Sequence, residues 1–311
     1  MDRKKITSSL LLLLTAVIWG VAFVSQSEGM EHMGAFTFMS ARSILGTVVL
    51  LPVIAFNRLR VPKAERKPLP RKATILGGIC CGLALTAASL LQQFGIGMTT
   101  VGKSGFITAL YIIFTPILGI FLGRKAPKVV WLGAVMAAVG FYLLCMNGES
   151  FELGLGDLLM LLCAVMFSVH IMVIDHFSPQ TDGVVLSCIQ FFVVFVISTI
   201  GAFIFEQPSF QQLQDGAISV LYAGILSSGV AYTLQVVGQK NMNPTVAALI
   251  LSLESVVATI AGYVAYKVGF LSTDQTMSAQ QIVGCVVVFS AVILVQIPWE
   301  KVLKKEKQTD K

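Results

Sequence analysis

Ser8-Ser9-Leu10-Leu11-Leu12-Leu13-Leu14-Thr15-Ala16-Val17-Ile18-Trp19-Gly20-Val21-Ala22-Phe23-Val24-Ser25-Gln26-Ser27 runs for 20 residues without a charged side chain. A helix rises about 1.5 Å per residue, so about 20 apolar residues cross the roughly 30 Å hydrocarbon core of a bilayer. Backbone groups in lipid find no water to bond, so such a run must be helical. Arg3-Lys4-Lys5 ahead of it imitates the start of a secretory signal. The run is too long for the apolar part of such a signal, has no A-x-A-like exit and leads into further runs of the same kind. It reads as an uncleaved first spanning helix.

Outward from this stretch the pattern repeats. Apolar runs cover 8–27, 34–56, 73–97, 102–122, 128–146, 155–175, 183–205, 215–237, 244–267 and 279–297. Short segments with turn residues or charge separate them, such as Asn57-Arg58-Leu59-Arg60-Val61-Pro62-Lys63, Gly123-Arg124-Lys125-Ala126-Pro127 and Asn241-Met242-Asn243-Pro244. Hydrophobic residues make up 56% of the 311 and charged residues 12%, about half the charge a water-soluble domain carries. Lipid is therefore the expected solvent for most of the surface, and the fold class is an all-α membrane protein of ten transmembrane helices.

The net charge of +6 raises nucleic acid as a partner, but its placement argues against that. With the amino terminus in the cytoplasm, 19 of the 22 Lys and Arg residues fall in cytoplasmic segments. Only Lys103 and Lys267 fall outside, and Arg42 lies within a helix. This asymmetry predicts a multi-pass protein of the inner or plasma membrane with both termini cytoplasmic. A homodimer is left open.

The six cysteines, Cys80, Cys81, Cys145, Cys163, Cys188 and Cys285, form no CxxC or Cys/His pattern and read as packing residues. No metal or cofactor is expected, and no P-loop, HExxH or GxSxG is present. Gly154-Leu155-Gly156-Asp157 matches the GxGD of intramembrane aspartyl proteases. Those need two aspartates sharing a proton at membrane depth. Asp157 instead opens a helix, where its charge suits the dipole, and it has no mid-membrane partner. An intramembrane enzyme and a non-transporting scaffold or receptor are the alternative functions; the expectation is a non-enzyme.

The two halves resemble one another. Ala16-Val17-Ile18-Trp19-Gly20 aligns with Ala164-Val165-Met166-Phe167-Ser168, and at that offset Arg42 faces Gln190. Leu91-Gln92-Gln93-Phe94-Gly95 aligns with Leu234-Gln235-Val236-Val237-Gly238, and at that offset Tyr111 faces Glu254 and Gly119 faces Gly262. Gly133 and Gly284 match in the last helix of each half. The repeats are 1–147 and 148–311, the second including the tail. Five helices per repeat start the second half on the opposite side of the membrane, which makes the repeats inverted. A solute site is then expected near the midplane between them, reached from either side in turn.

Several segments resemble the EamA-type branch of the drug/metabolite transporter superfamily. They are Ala16-Val17-Ile18-Trp19-Gly20-Val21-Ala22-Phe23, Phe38-Met39-Ser40-Ala41-Arg42, Ser104-Gly105-Phe106-Ile107-Thr108-Ala109-Leu110-Tyr111 with Pro116, Asn243-Pro244-Thr245-Val246-Ala247-Ala248-Leu249 and Ser252-Leu253-Glu254. The resemblance spans about 10–297. It implies a secondary transporter that moves a small organic solute, an amino acid-like metabolite or a drug, usually outward, by alternating access. It also implies a cavity lined by the first, third, fourth, sixth, eighth and ninth helices. Ser255 departs from the pattern, since the family often has proline after the glutamate; so does the long stretch 268–280.

Ionisable groups at membrane depth are costly and should face a cavity or a partner. Glu254 falls near the middle of the ninth helix, where a carboxyl can carry a proton or bind a cationic group. Trp19, Gln92, Tyr111 and Gln235 fall near mid-helix and suit a small-solute cavity; each alone could equally make an interhelical hydrogen bond worth about 0.6 kcal/mol. His170 is added as a candidate cavity residue, since imidazole titrates near neutrality. Arg42 can snorkel outward or pair with Glu254 or a solute anion; a structural or gating charge is the expectation. Gly78–Gly82 and Gly119–Gly123 are both GxxxG, expected to pack helices closely. Pro116 is expected to bend the fourth helix.

Overall fold

The computed structural model describes residues 3–60, 70–123, 128–145, 154–240, 242–271, 275–276 and 279–296. The basic segment with Lys63, Arg66 and Lys67, the loop with Arg124 and Lys125, the acidic Glu149 and Glu152, and the lysines of the C-terminal tail lie outside the described residues, as do the side chains of Cys145 and Cys285.

The described residues are helical, with no strand among them. The helices are α1 (Arg3–His32), α2 (Ala35–Arg60), α3 (Arg71–Ile96), α4 (Val101–Ala109), α5 (Tyr111–Phe121), α6 (Lys128–Cys145) and α7 (Leu155–Phe177). They continue as α8 (Gly183–Phe205), α9 (Phe210–Asp215), α10 (Ala217–Leu221), a π-helical stretch Tyr222–Ala231, α11 (Tyr232–Gln239), α12 (Pro244–Leu251), α13 (Glu254–Lys267) and α14 (Ala279–Gln296). Eight stretches are long and apolar enough to cross a membrane: α1, α2, α3, Val101–Phe121, Leu155–Gln180, α8, Ala217–Gln239 and Pro244–Lys267. Shorter apolar helical segments, Lys128–Gly140 and Ile282–Ala291, lie within α6 and α14.

Burial is the reverse of that in a water-soluble protein. Leu10, Val17, Leu51, Leu83, Phe121 and Phe203 are exposed, whereas Arg42, Gln92, Gln93, Gln190, Gln235 and Glu254 are buried. Apolar surface turned outward suits hydrocarbon, and polar groups withdraw to the interior where they find one another.

Sequence signals at helix starts act as expected from their chemistry. The Asp182 carboxylate accepts from Val184 N and Val185 N, and Asn243 accepts from Thr245 N with Pro244 at the first helical position. Asp157 accepts from Gly154 N at 3.1 Å and pairs with Lys103 Nζ at 2.9 Å. That network accounts for the GxGD aspartate as a helix-end charge.

Close helix crossings recur in pairs. A Cβ added at Gly95 of α3 would stand 3.1 Å from Gly156 O on α7, and one at Gly238 of α11 would stand 3.2 Å from Ser8 O on α1. A Cβ added at Gly82 of α3 would stand 2.9 Å from Gln190 O on α8, and one at Gly224 3.0 Å from Arg42 O on α2. A Cβ added at Gly20 of α1 would stand 2.7 Å from Glu254 O, while Ser168 Oγ of α7 donates to Tyr111 O at 3.2 Å. In the first and third pairs the members are separated by the two offsets read between the sequence halves; in the second, Arg42 and Gln190 keep the first offset, and Gly82 and Gly224 fall one residue short of the other. α2 packs on α8, and α6 packs on α14 through Gly140 and Gly284 O.

The two GxxxG motifs part company. Gly78 and Gly82 receive Ile189 and Val193 of α8, as close packing requires. Gly123 has φ +74° and no atom of the described residues within 4 Å of its Cβ position. It ends a helix in the left-handed region that glycine tolerates.

Candidate functional site

The fourth and ninth apolar stretches are each broken in the middle. α4 ends at Ala109 and α5 begins at Tyr111; α12 ends at Leu251 and α13 begins at Glu254. The intervening Leu110 and Leu253 occupy matching positions in the two halves. In the ninth stretch the break is made by hydroxyls: Ser252 Oγ donates to Leu249 O and Ser255 Oγ to Ser252 O, both at 2.8 Å. Leu253 N and Ser255 N reach back three residues instead of four. Serine side chains thus divert the backbone from the α ladder, so the bend needs no proline after Glu254. In the fourth stretch the break falls at Leu110, not at Pro116, with Leu110 N bonded to Ile107 O at 3.2 Å. Interrupted helices beside a cavity are a recurrent way to bring a polar side chain and free backbone groups to membrane depth.

Both breaks face a central cavity lined by Trp19, Ala22, Phe23, Gln26, Arg42, Gln92, Tyr111, Phe167, Ile171, Ser227, Tyr232, Gln235 and Glu254. Most of the wall comes in pairs across the halves: Trp19 with Phe167, Phe23 with Ile171, Gln92 with Gln235, Tyr111 with Glu254. The cavity volume is only about 20 Å³, enough for one or two waters.

The expected residues Trp19, Gln92, Tyr111, Gln235 and Glu254 are thus brought together. Tyr232, Phe167 and Ser227 were not anticipated, although Phe167 is the repeat counterpart of Trp19 and was legible by that alignment. The Tyr232 ring lies 4.5 Å from that of Trp19 and 5.2 Å from that of Phe191, wedging the cavity floor. Gln92 Nε2 donates to Thr108 Oγ1 at 3.3 Å. Trp19 Nε1, Gln235 Oε1 and Glu254 Oε1 are buried without a hydrogen-bond partner among the described residues. Leaving such atoms unsatisfied costs roughly 1–3 kcal/mol each, an expense that a polar solute or water relieves.

His170 is not among the residues brought to the cavity wall. It is fully buried, but it stands behind the wall, its ring 6.5 Å from Phe167 and 6.1 Å from Tyr232. Its Nε2 pairs with Gln190 Oε1 at 3.1 Å, so it supports the aromatic wall without lining the cavity.

Arg42 does not snorkel, being 3% exposed. Nε donates to Ser228 Oγ at 3.1 Å and Nη2 to Ser227 Oγ at 2.9 Å. Both serines belong to the π-helical stretch, whose widened turns have no signal in the sequence beyond the small residues Gly224, Ser227, Ser228 and Gly229. Among the described residues no carboxylate lies within ion-pair distance of Arg42. Tyr232 stands within electrostatic reach of both Arg42 and Glu254.

A second polar system ties the two halves at the bundle end remote from the amino terminus. Glu206, at the end of α8, accepts from Phe36 N (2.9 Å), Thr37 N (2.8 Å) and Thr37 Oγ1 (2.6 Å) at the start of α2. The Glu28 carboxylate takes His32 on one oxygen and Ser219 Oγ on the other. Lys103–Asp157 is the third tie. Glu206→Ala should lower the melting temperature of the purified protein by about 2–4 °C, since it removes an anion from a helix start and leaves backbone donors open. An unchanged melting temperature in a fluorescence thermal scan would show that this tie carries no weight.

Comparison with known proteins fits this architecture. The sequence model of the EamA-like transporter family matches residues 6–146 and again 154–297. An uncharacterized transporter of Archaeoglobus fulgidus is 28% identical over 295 residues, 94% of this chain and 87% of its own. A WAT1-related chloroplastic protein of Arabidopsis thaliana is 25% identical over 295 residues, 90% of this chain and 67% of its own. A protein of known crystal structure has the same fold, with a TM-score of 0.70 at 18% identity over 95% of this chain and 98% of its own. The apolar stretches, the helices broken at a buried cavity and a family match over both halves agree with one another, and the chain belongs to the EamA-like transporter family.

Proposed function

We propose that the protein is a secondary transporter that carries a small organic solute through alternating access of two inverted five-helix halves, 1–147 and 148–311. The observation that carries this reading is the paired cavity wall: equivalent residues of the two halves converge on one site. The paired crossings and the twofold family match support the inverted repeat, with α6 and α14 as the fifth and tenth spans. Exchange of the two halves' roles would then open the site to one side and to the other.

The cavity admits only a water or two, so a solute enters when the halves separate at one end. The Lys and Arg asymmetry supports both termini in the cytoplasm of a cell membrane, which puts the Glu206, Glu28 and Asp157 ties on the outer side. In that orientation these ties would hold the outer end of the cavity closed. Glu254 is assigned as the coupling or recognition carboxylate, with a proton as the coupling ion, and Trp19, Gln92, Tyr111 and Gln235 shape the pocket. Export is the favoured direction.

Purified protein in liposomes, given labelled amino acids, nucleosides and organic cations with and without a pH gradient, tests the reading. Saturable uptake of one class is expected, responding to the gradient. Absence of uptake across the panel would count against transport and return the scaffold reading.

A further inference from the structure

The cavity wall is nearly symmetric, and the departures from symmetry carry its charge. Trp19, Phe23 and Gln92 each have a counterpart of similar character in the second half. Arg42 and Glu254 do not: Gln190 stands where Arg42 would repeat, and Tyr111 where Glu254 would. Both matching backbones make the same close crossing, Gln190 O with Gly82 and Arg42 O with Gly224. The fold therefore builds this position around a neutral amide in one half, and the guanidinium is not needed to form it.

Burying a cation without an anion beside it is expensive. Here the two serine hydroxyls satisfy only part of the guanidinium, whose planar fork offers five N–H donors. The rest of the group faces the cavity, with no carboxylate of the described chain in contact. A planar donor fork of this kind matches the two oxygens of a carboxylate. Ser227 and Ser228 fix its orientation, since both sit on the π-helical stretch that crosses α2 at Gly224.

We infer that Arg42, held by Ser227 and Ser228, is the receptor for a carboxylate group of the transported solute. This rests on the transporter reading. The acid group docks on the α2 side and supplies the counter-charge that the protein withholds. Around it the wall is apolar and aromatic, with Trp19, Phe23, Phe167 and Ile171. The solute class is thus a small carboxylate with an apolar body, either a zwitterion whose ammonium group reaches toward Glu254 or a simple organic acid.

Three probes on one skeleton separate these cases: L-phenylalanine carries both charges, 3-phenylpropionate only the carboxylate, and L-phenylalaninamide only the ammonium. The corresponding leucine series repeats the test on an aliphatic body. Binding is read as the ligand-induced rise in melting temperature of the purified full chain, and transport as uptake into liposomes. Carboxylate members are expected to bind at least about tenfold more tightly than the amides, a preference in line with charge-assisted hydrogen bonds. Arg42→Gln should erase that preference, and Arg42→Lys should restore part of it. If Arg42→Gln does not fold, the Ser227→Ala/Ser228→Ala double variant should still weaken carboxylate binding several-fold.

A stronger response to phenylalanine than to phenylpropionate identifies a zwitterion; equal responses identify an organic acid. Amides that bind as well as acids, a preference that survives Arg42→Gln, or no response to any carboxylate would overturn the assignment. Uptake of a nucleoside or an organic cation alongside such a result would leave the transporter reading intact and sink only the Arg42 site.

Discussion

Glu254→Gln is expected to abolish the response of solute uptake to an imposed pH gradient, lowering gradient-driven uptake at least about tenfold while the protein stays folded. The glutamine keeps the shape of the side chain and its acceptor oxygen, so the break before α13, which Ser252 and Ser255 make, should persist. What the amide cannot do is take up and release a proton. Glu254 is 3% exposed, opens α13 and stands beside the Tyr111 hydroxyl on the cavity wall. An intramembrane carboxyl in such a place is the default candidate for a proton relay or a cation partner. Glu254→Asp should retain the gradient response at reduced rate, because the chemistry survives while the reach shortens. Counterflow exchange, which needs no gradient, should persist in the glutamine variant if the role is coupling, and fall with it if the role is recognition. Normal transport by Glu254→Gln at every pH would remove the residue from both roles. A wild-type protein whose uptake ignores pH would make it a pocket or packing residue.

Much of the cavity was readable from one sequence because membrane depth is a severe filter. A 56% hydrophobic chain leaves few polar residues in its apolar runs, and Trp19, Gln92, Tyr111, Gln235 and Glu254 all line the cavity. Internal repetition sharpened the reading, since Gln92/Gln235 and Tyr111/Glu254 were already aligned. What escaped was local backbone geometry. Neither helix break carries a glycine or a proline at the breaking residue; Leu110 and Leu253 look like any other apolar position, and Pro116, which does look like a breaker, lies inside α5. The π-helical stretch was invisible for the same reason: its small residues Gly224, Ser227, Ser228 and Gly229 read as ordinary positions of an apolar helix. The side of its helix on which His170 falls, toward Gln190 on α8, was not legible, because a helix offers several faces. Gly119–Gly123 had the spacing of a packing motif, but its second glycine serves a helix end.

Gly20→Ala is expected to be as damaging as any single methyl in this chain can be. A Cβ there would stand 2.4 Å from Val257 Cβ and 2.7 Å from Glu254 O. Neither neighbour is the free end of a flexible side chain: one is the stem of a β-branched residue, the other is backbone. Relief requires α1 and α13 to move apart, and α13 carries Glu254 into the cavity. Overpacking of this kind costs about 1–3 kcal/mol or more, and the displacement falls on the residue proposed to couple transport. Uptake should drop more than about tenfold with a melting temperature lowered by several degrees, by the usual relation of such energies to unfolding. Gly102→Ala is the control: its nearest neighbour is Thr259 Oγ1 at 3.5 Å, an ordinary contact. There the methyl meets no obstruction, and replacing a helical glycine gains about 0.5–1 kcal/mol, so melting temperature should rise slightly and uptake should hold. The matching crossing of the other half gives an intermediate case. Ser168→Ala removes a 3.2 Å bond to Tyr111 O without adding an atom, and should cost about 1 kcal/mol with little loss of transport. The order Gly20→Ala, then Ser168→Ala, then Gly102→Ala is what close crossing at Glu254 demands. Wild-type behaviour in Gly20→Ala would mean that α1 and α13 slide past one another freely, and that the position of Glu254 is not set by this contact.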